Sequence, residues 1–145
     1  MPIAIEPARA EDVARVKELL SERRLPLDGL DDHVDTLLVA RDDASVVGSV
    51  ALEVYDGGAL LRSLAVAPGI QGQGVGRLLT ESIVCLARER GIRDVFLLTT
   101  TASAYFPRFG FEQVARDDVP QSVRESIEFK SACPASAIAM RARLS

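Results

Sequence analysis

Seven consecutive residues, Gln71, Gly72, Gln73, Gly74, Val75, Gly76 and Arg77, stand between an apolar, β-like run, Leu64-Ala65-Val66, and a helical pattern that opens at Leu78. Glycines let backbone N–H groups approach a ligand with no Cβ in the way. The first turn of the following helix adds unpaired N–H donors at the positive end of its dipole. A pyrophosphate fits such a loop, although an ordinary strand-to-helix turn has much the same composition. The spacing excludes two better-known anion cradles. Gly72, Gly74 and Gly76 do not form G-x-G-x-x-G, and no Gly-Lys-Ser/Thr follows.

The stretch resembles the Gln/Arg-x-x-Gly-x-Gly/Ala acetyl-CoA motif of the GNAT N-acetyltransferases, with Gln71, Gly74 and Gly76 at its three signature positions. The resemblance implies that the pyrophosphate of acetyl-CoA lies on N–H groups of residues 71–77. It also implies that the pantetheine arm pairs like an extra strand with Leu64, Ala65 and Val66, and that no metal is needed. Leu97-Leu98-Thr99-Thr100, Tyr105-Phe106 and Gly110-Phe111 look like the acetyltransferase domain of N-acetylglutamate synthase. Leu60-Leu61-Arg62-Ser63-Leu64 and Cys133-Pro134-Ala135-Ser136-Ala137 look closer still to small GNAT proteins associated with arsenic resistance.

Acetyl transfer from a thioester to an amine needs a free lone pair, stabilisation of the oxyanion and a proton for the departing thiolate. Many GNAT enzymes place a glutamate near the start of the strand before the glycine loop, where this chain has Leu60. Glu53, inside the apolar run Val50-Ala51-Leu52-Glu53-Val54, is the substitute base; the other reading makes it the solvent-facing residue of an alternating strand. Family members often carry a tyrosine four residues before the glycine of a Gly-Phe pair. Here that position is Phe106, and Tyr105, one place earlier, supplies the candidate acid or a core aromatic. Arg62, a cation within an apolar strand next to Ser63, calls for an anionic partner: a substrate carboxylate, or an internal Asp or Glu. Thr99 and Thr100 are expected at the splayed end of a central strand, facing cofactor or acceptor, with Thr101 or Ser103 available as helix caps.

These residues need a scaffold, and the hydrophobic pattern supplies an α+β one. Ile3-Ala4-Ile5 reads as a strand, and Val13, Val16, Leu19 and Leu20 as the apolar face of an acid-led helix. Residues 36–40, 46–54 and 59–66 read as three antiparallel strands joined by tight turns at Asp42-Asp43 and Asp56-Gly57-Gly58. A helix running to Arg88-Glu89-Arg90-Gly91 and a buried strand at Val95-Phe96-Leu97-Leu98 complete a parallel crossover. A short helix over residues 101–109 and strands at 111–114 and 137–140 follow. The order matches the GNAT fold, a mixed central sheet flanked by helices, across nearly the whole chain.

Length and composition set the outer bounds. The chain has 145 residues, 48% of them hydrophobic, enough for one domain (1–145) with a core and too few for two. A net charge of −4 with no basic tail gives no nucleic-acid footprint, and Arg23-Arg24 reads as solvated. No apolar run nears the roughly 18 residues of a membrane span, and the N-terminus lacks a signal pattern, so the expected location is cytoplasmic. With two cysteines and a single histidine, His33, a zinc site or Cys/His dyad is hard to assemble. Cys85 is expected in the core, and Cys133 near the cleft. The partner is a small-molecule amine acceptor; a homodimer is left open.

Overall fold

A computed structural model describes residues 3–100, 102–126, 128–132 and 137–144. Thr101 and Cys133 lie outside the described residues, so the expectations placed on them go unaddressed. Seven strands form one mixed sheet in the order β1-β2-β3-β4-β5-β7-β6. They are β1 (Ile3–Pro7), β2 (Leu37–Asp42), β3 (Ser45–Tyr55), β4 (Gly58–Val66), β5 (Asp94–Thr99), β6 (Phe111–Gln113) and β7 (Ile138–Arg143). β1 to β4 pair antiparallel, with tight turns joining β2 to β3 and β3 to β4, and β4 pairs parallel with β5. β7 inserts antiparallel between β5 and β6.

The helices α1 (Val13–Glu22), α2 (Val75–Glu89) and α3 (Gln121–Arg124) pack on the sheet. Leu79, Ile83 and Ala87 recur every four residues on α2 and are fully buried against Val50, Leu52, Leu61 and Leu97. Each large side chain so buried contributes about 2 kcal/mol. Cys85 is exposed, contrary to expectation: two residues beyond Ile83 is roughly 200° around the helix. On the opposite face, Val16, Leu19 and Leu20 of α1 close over Leu37, Val39 and Ala51, while Val119 and Val123 cover Leu60 and Phe96. α1 is tied down by Asp12, whose Oδ2 accepts from the Arg9 N–H at 2.9 Å and from Arg41 Nη2 at 2.7 Å.

The expected helix over 101–109 is not α-helical. Residues 103–105 form a turn and Phe106–Phe109 one turn of 3₁₀ helix, with Pro107 at its start and Gly110 at φ +91° ending it. Thr99 Oγ1 accepts from the Ala102 N–H at 2.9 Å, a local bond that favours a turn over continued helix.

Two irregularities open the sheet at its centre. β4 and β5 pair only at Ala59 with Val95 and Leu60 with Phe96, and then diverge. Beyond that point β4 carries an extra residue against β3, because Ser49 pairs with Ala65 and Ala51 with Arg62. A bulge of this kind bends its strand.

Candidate functional site

The bulge centres on Ser63, a buried non-glycine residue at φ +61°. That left-handed conformation costs about 1–3 kcal/mol, and the surroundings hold it: Ser49 Oγ donates to the Ser63 carbonyl at 2.8 Å, and Arg62 Nε donates to Ser63 Oγ at 3.0 Å. The divergence of β4 from β5 opens a cleft of about 880 Å³ whose walls include Leu61, Arg62, Ser63, Leu64, Ala65 and Val66 on one side and Leu97, Leu98 and Thr99 on the other.

The glycine loop stands at the mouth. Gln71, Gly72, Gly74, Val75, Gly76 and Arg77 all line the cleft; Gln73 is exposed and does not. Gly74, at φ +82°, is the N-cap of α2, and the first intrahelical bond runs from the Leu78 N–H to the Gly74 carbonyl at 3.1 Å. The N–H groups of Val75, Gly76 and Arg77 therefore have no helical carbonyl behind them and supply donors for an anion. Arg77 sits at this end, its Nε 3.2 Å from Glu81.

Tyr105 stands beside the start of α2 and lines the cleft. A Cβ built on Gly76 would lie 3.3 Å from the Tyr105 hydroxyl, so the absence of a side chain at Gly76 lets the phenol reach the start of α2. The Arg108 guanidinium lies 4.7 Å above the Tyr105 ring, a cation–π contact. Phe106 also lines the cleft, 5.3 Å from Tyr105 between ring centroids. Because the segment is a turn and not an α-helix, the 100° that separates neighbours on a helix does not apply, and both aromatics line the cleft.

Glu53 and Arg62 fall elsewhere than expected. Residues paired across antiparallel strands share a face, and Ala51 opposite Arg62 with Glu53 opposite Leu60 puts both charges on the face covered by α1 and α3. Arg62 Nη1 donates to Glu53 Oε2 at 2.7 Å and to the Asp28 carbonyl at 2.6 Å, and Nη2 donates to the Pro26 carbonyl at 3.1 Å. Arg62 Nε also lies 3.2 Å from Glu128 Oε2. The Arg62 and Glu53 side chains are 0% and 1% exposed. This is the internal pair, and it corrects the expectation of an open guanidinium awaiting a substrate carboxylate. It also corrects both readings of Glu53. That carboxylate faces neither solvent nor the cleft: Oε1 accepts from the Tyr55 hydroxyl, and Oε2 meets Arg62 with His33 Nε2 3.6 Å away. Burial first, and then the bond to Glu53, push the Tyr55 phenol above its ordinary range.

Thr99 lines the cleft with its hydroxyl engaged in the turn, and Thr100 is exposed and outside the lining. Three charged lining residues escaped the sequence reading. Arg23, expected to be solvated, reaches the glycine loop; with the Gln71 amide oxygen turned toward it, both Nη atoms donate at 2.9 Å. Arg108 and Glu128 also line the cleft. No local spacing marks any of them, since each arrives from a different segment.

The family model of the acetyltransferase (GNAT) domain matches residues 33–113, more than half of the chain, and spans the bulged strand, the glycine loop and Tyr105. The chain belongs to the GNAT acetyltransferase family. An uncharacterised N-acetyltransferase of Chlorobaculum tepidum is 33% identical over 93 residues, 63% of this chain and 59% of that protein. The amino-acid acetyltransferase of Ralstonia nicotianae is 32% identical over 123 residues, 83% of this chain. This GNAT domain spans only 26% of that enzyme's length. N-acetylglutamate synthase from Neisseria gonorrhoeae, solved with coenzyme A and N-acetyl-glutamate, superposes with a TM-score of 0.86 over 100% of this chain and 36% of its own, at 24% identity. That likeness bears out the α+β GNAT fold with its mixed sheet.

Proposed function

We propose that this GNAT domain moves the acetyl group of acetyl-CoA to the amino group of a small amino-acid-like acceptor, by direct attack within a ternary complex. The observation that carries the proposal is the cleft itself: a slot between β4 and β5, a bulge on one wall and the open N-terminus of α2 at the mouth. Its size suits a ligand pocket, and its glycine loop suits a pyrophosphate. The likeness to amino-acid acetyltransferases supports an acceptor of that class.

Each wall then has a task. The N–H groups at the start of α2 receive the pyrophosphate, helped by the guanidinium groups of Arg23, Arg77 and Arg108. Backbone of Leu64, Ala65 and Val66 pairs with the pantetheine arm, and N–H groups beside the bulge polarise the acetyl carbonyl. The amine lone pair attacks the carbonyl carbon, the N–C bond forms and the C–S bond breaks. The Tyr105 hydroxyl, at the head of α2, is the candidate proton donor to the thiolate.

The test is a thiol-release assay with acetyl-CoA and a panel of amines: amino acids, their amides, the decarboxylated amines, a lysine peptide and an arsenic-containing amino acid, the last prompted by the resemblance to arsenic-associated proteins. Turnover favouring free amino acids supports the proposal. Preference for the peptide would move the acceptor class to proteins, and CoA binding without any turnover would make this a CoA-binding regulatory domain.

A further inference from the structure

Four arginines and one carboxylate are the charged groups lining the cleft among the described residues, and the carboxylate is Glu128. An acceptor amine arrives mostly as its ammonium ion near neutral pH and must lose a proton before it can attack. Arginines repel that cation and cannot take its proton. Glu53 has both oxygens engaged behind Arg62 and does not reach the cleft.

Glu128 stands where such a group is needed. Its Oε2 is 3.2 Å from Arg62 Nε, the same nitrogen that donates to Ser63 Oγ at the bulge. Arg62 is itself fixed by Glu53 and by the carbonyls of Pro26 and Asp28, so the carboxylate is held against an anchored partner with its residue 4% exposed. Glu53 and Glu128 share the Arg62 guanidinium, and of the two only Glu128 lines the cleft.

We infer that Glu128 receives the acceptor's ammonium beside the Ser63 bulge and takes its proton, a role that rests on the acetyl-transfer reading above. The N–H bond breaks with its electron pair left on nitrogen, and the proton passes to a Glu128 oxygen. The freed pair forms the N–C bond, and the C–S pair leaves with the thiolate, which gains a proton from Tyr105 or water. Among the described residues, the charged and titratable groups around Glu128 include Arg62 on β4, Glu53 and Tyr55 on β3, and His33 behind Glu53.

The experiment compares wild type, Glu128→Gln and Glu128→Asp in the full chain, using acetyl-CoA and the amine of the panel that turns over fastest. Coenzyme A affinity is measured by calorimetry, folding by thermal melting and acceptor kcat/KM from pH 6 to 10. Glu128→Gln is expected to lose at least 100-fold in acceptor kcat/KM at pH 7, with the deficit shrinking as pH approaches the pKa of the amine and with coenzyme A affinity within about twofold of wild type. Glu128→Asp keeps the charge and should lose less. A wild-type pH profile in Glu128→Gln overturns the inference, as does a loss that is equal at every pH or matched by lost coenzyme A binding. If Glu128→Gln fails to fold, Glu128→Asp decides by the same criteria. No turnover by the wild type with any amine defeats the acetyl-transfer reading instead, before Glu128 comes into question.

Discussion

Arg62 and Glu53 meet at 2.7 Å between neighbouring strands, with both side chains sealed from water. A buried pair of this kind gains little over apolar packing, but breaking one costs about 3–5 kcal/mol, and here Glu128 stays beside Arg62 and holds the cost to the lower end. Glu53→Gln is therefore expected to lower the free energy of unfolding by about 3 kcal/mol, read from a urea transition whose midpoint falls at constant slope. Below that transition the variant should keep its affinity for coenzyme A. A variant as stable as wild type would show that the pair does not hold β3, β4 and residues 26–28 together.

Gly74→Glu tests the anion cradle. A Cβ on Gly74 would meet no atom within 4 Å, so nothing clashes, but φ +82° strains any L side chain and the added carboxylate sits where phosphates would lie. Coenzyme A affinity should fall by about 100-fold or more, equivalent to about 3 kcal/mol. Gly74→Asn, which tolerates the left-handed conformation, should keep most of the affinity. Calorimetry that finds Gly74→Glu binding as wild type would remove the cofactor from this loop.

Tyr105→Phe deletes a hydroxyl and leaves the ring under Arg108. If that hydroxyl protonates the thiolate, kcat should drop by roughly 10- to 100-fold with coenzyme A affinity kept, since water replaces the donor only in part. Gly76→Ala offers an independent probe. Its new methyl, 3.3 Å from the Tyr105 oxygen, must push that oxygen by a few tenths of an ångström, and kcat should fall with less effect than in Tyr105→Phe. Unchanged turnover in both variants would leave Tyr105 as a wall residue.

Asp12 makes the fold acid-sensitive. Hydrogen bonding from Arg41 is the largest influence on its carboxyl; burial opposes it and the Arg9 N–H reinforces it, leaving Asp12 below the ordinary carboxylate range. A group depressed on folding adds stability above its unfolded pKa of about 4. That contribution fades as pH falls through the lower folded value. Asp12→Asn should cost about 2 kcal/mol at neutral pH, and its unfolding free energy should converge on wild type in acid. Parallel curves at all pH values would contradict this assignment.

The parts of the molecule legible in the sequence are those specified by neighbours in the chain. The glycine loop announced its strand, cap and helix because each belongs to one continuous stretch, and the tight turns fixed the antiparallel order of β2 to β4. What escaped needed partners from afar. A lone acid and a lone arginine in two apolar strands leave ligand and internal roles equally open in the sequence, and only cross-strand register shows that they turn toward each other. Glu128 and Arg23 carry no local signal at all, and they become visible only when separate segments arrive at one cleft. Cys85 failed for a simpler reason, a helical phase counted too loosely around α2.

Only two residue pairs, Ala59 with Val95 and Leu60 with Phe96, hold β4 to β5. The sheet is therefore two blocks joined along a short seam, and beyond it the facing edges of β4 and β5 lack each other as partners in the hydrogen-bond ladder. A ligand arm that lies there as an added strand would bridge the blocks as well as occupy the slot. Binding and rigidity would then be the same event: the loaded protein would exchange its central amides more slowly, and the empty one would breathe at the place where chemistry is to occur.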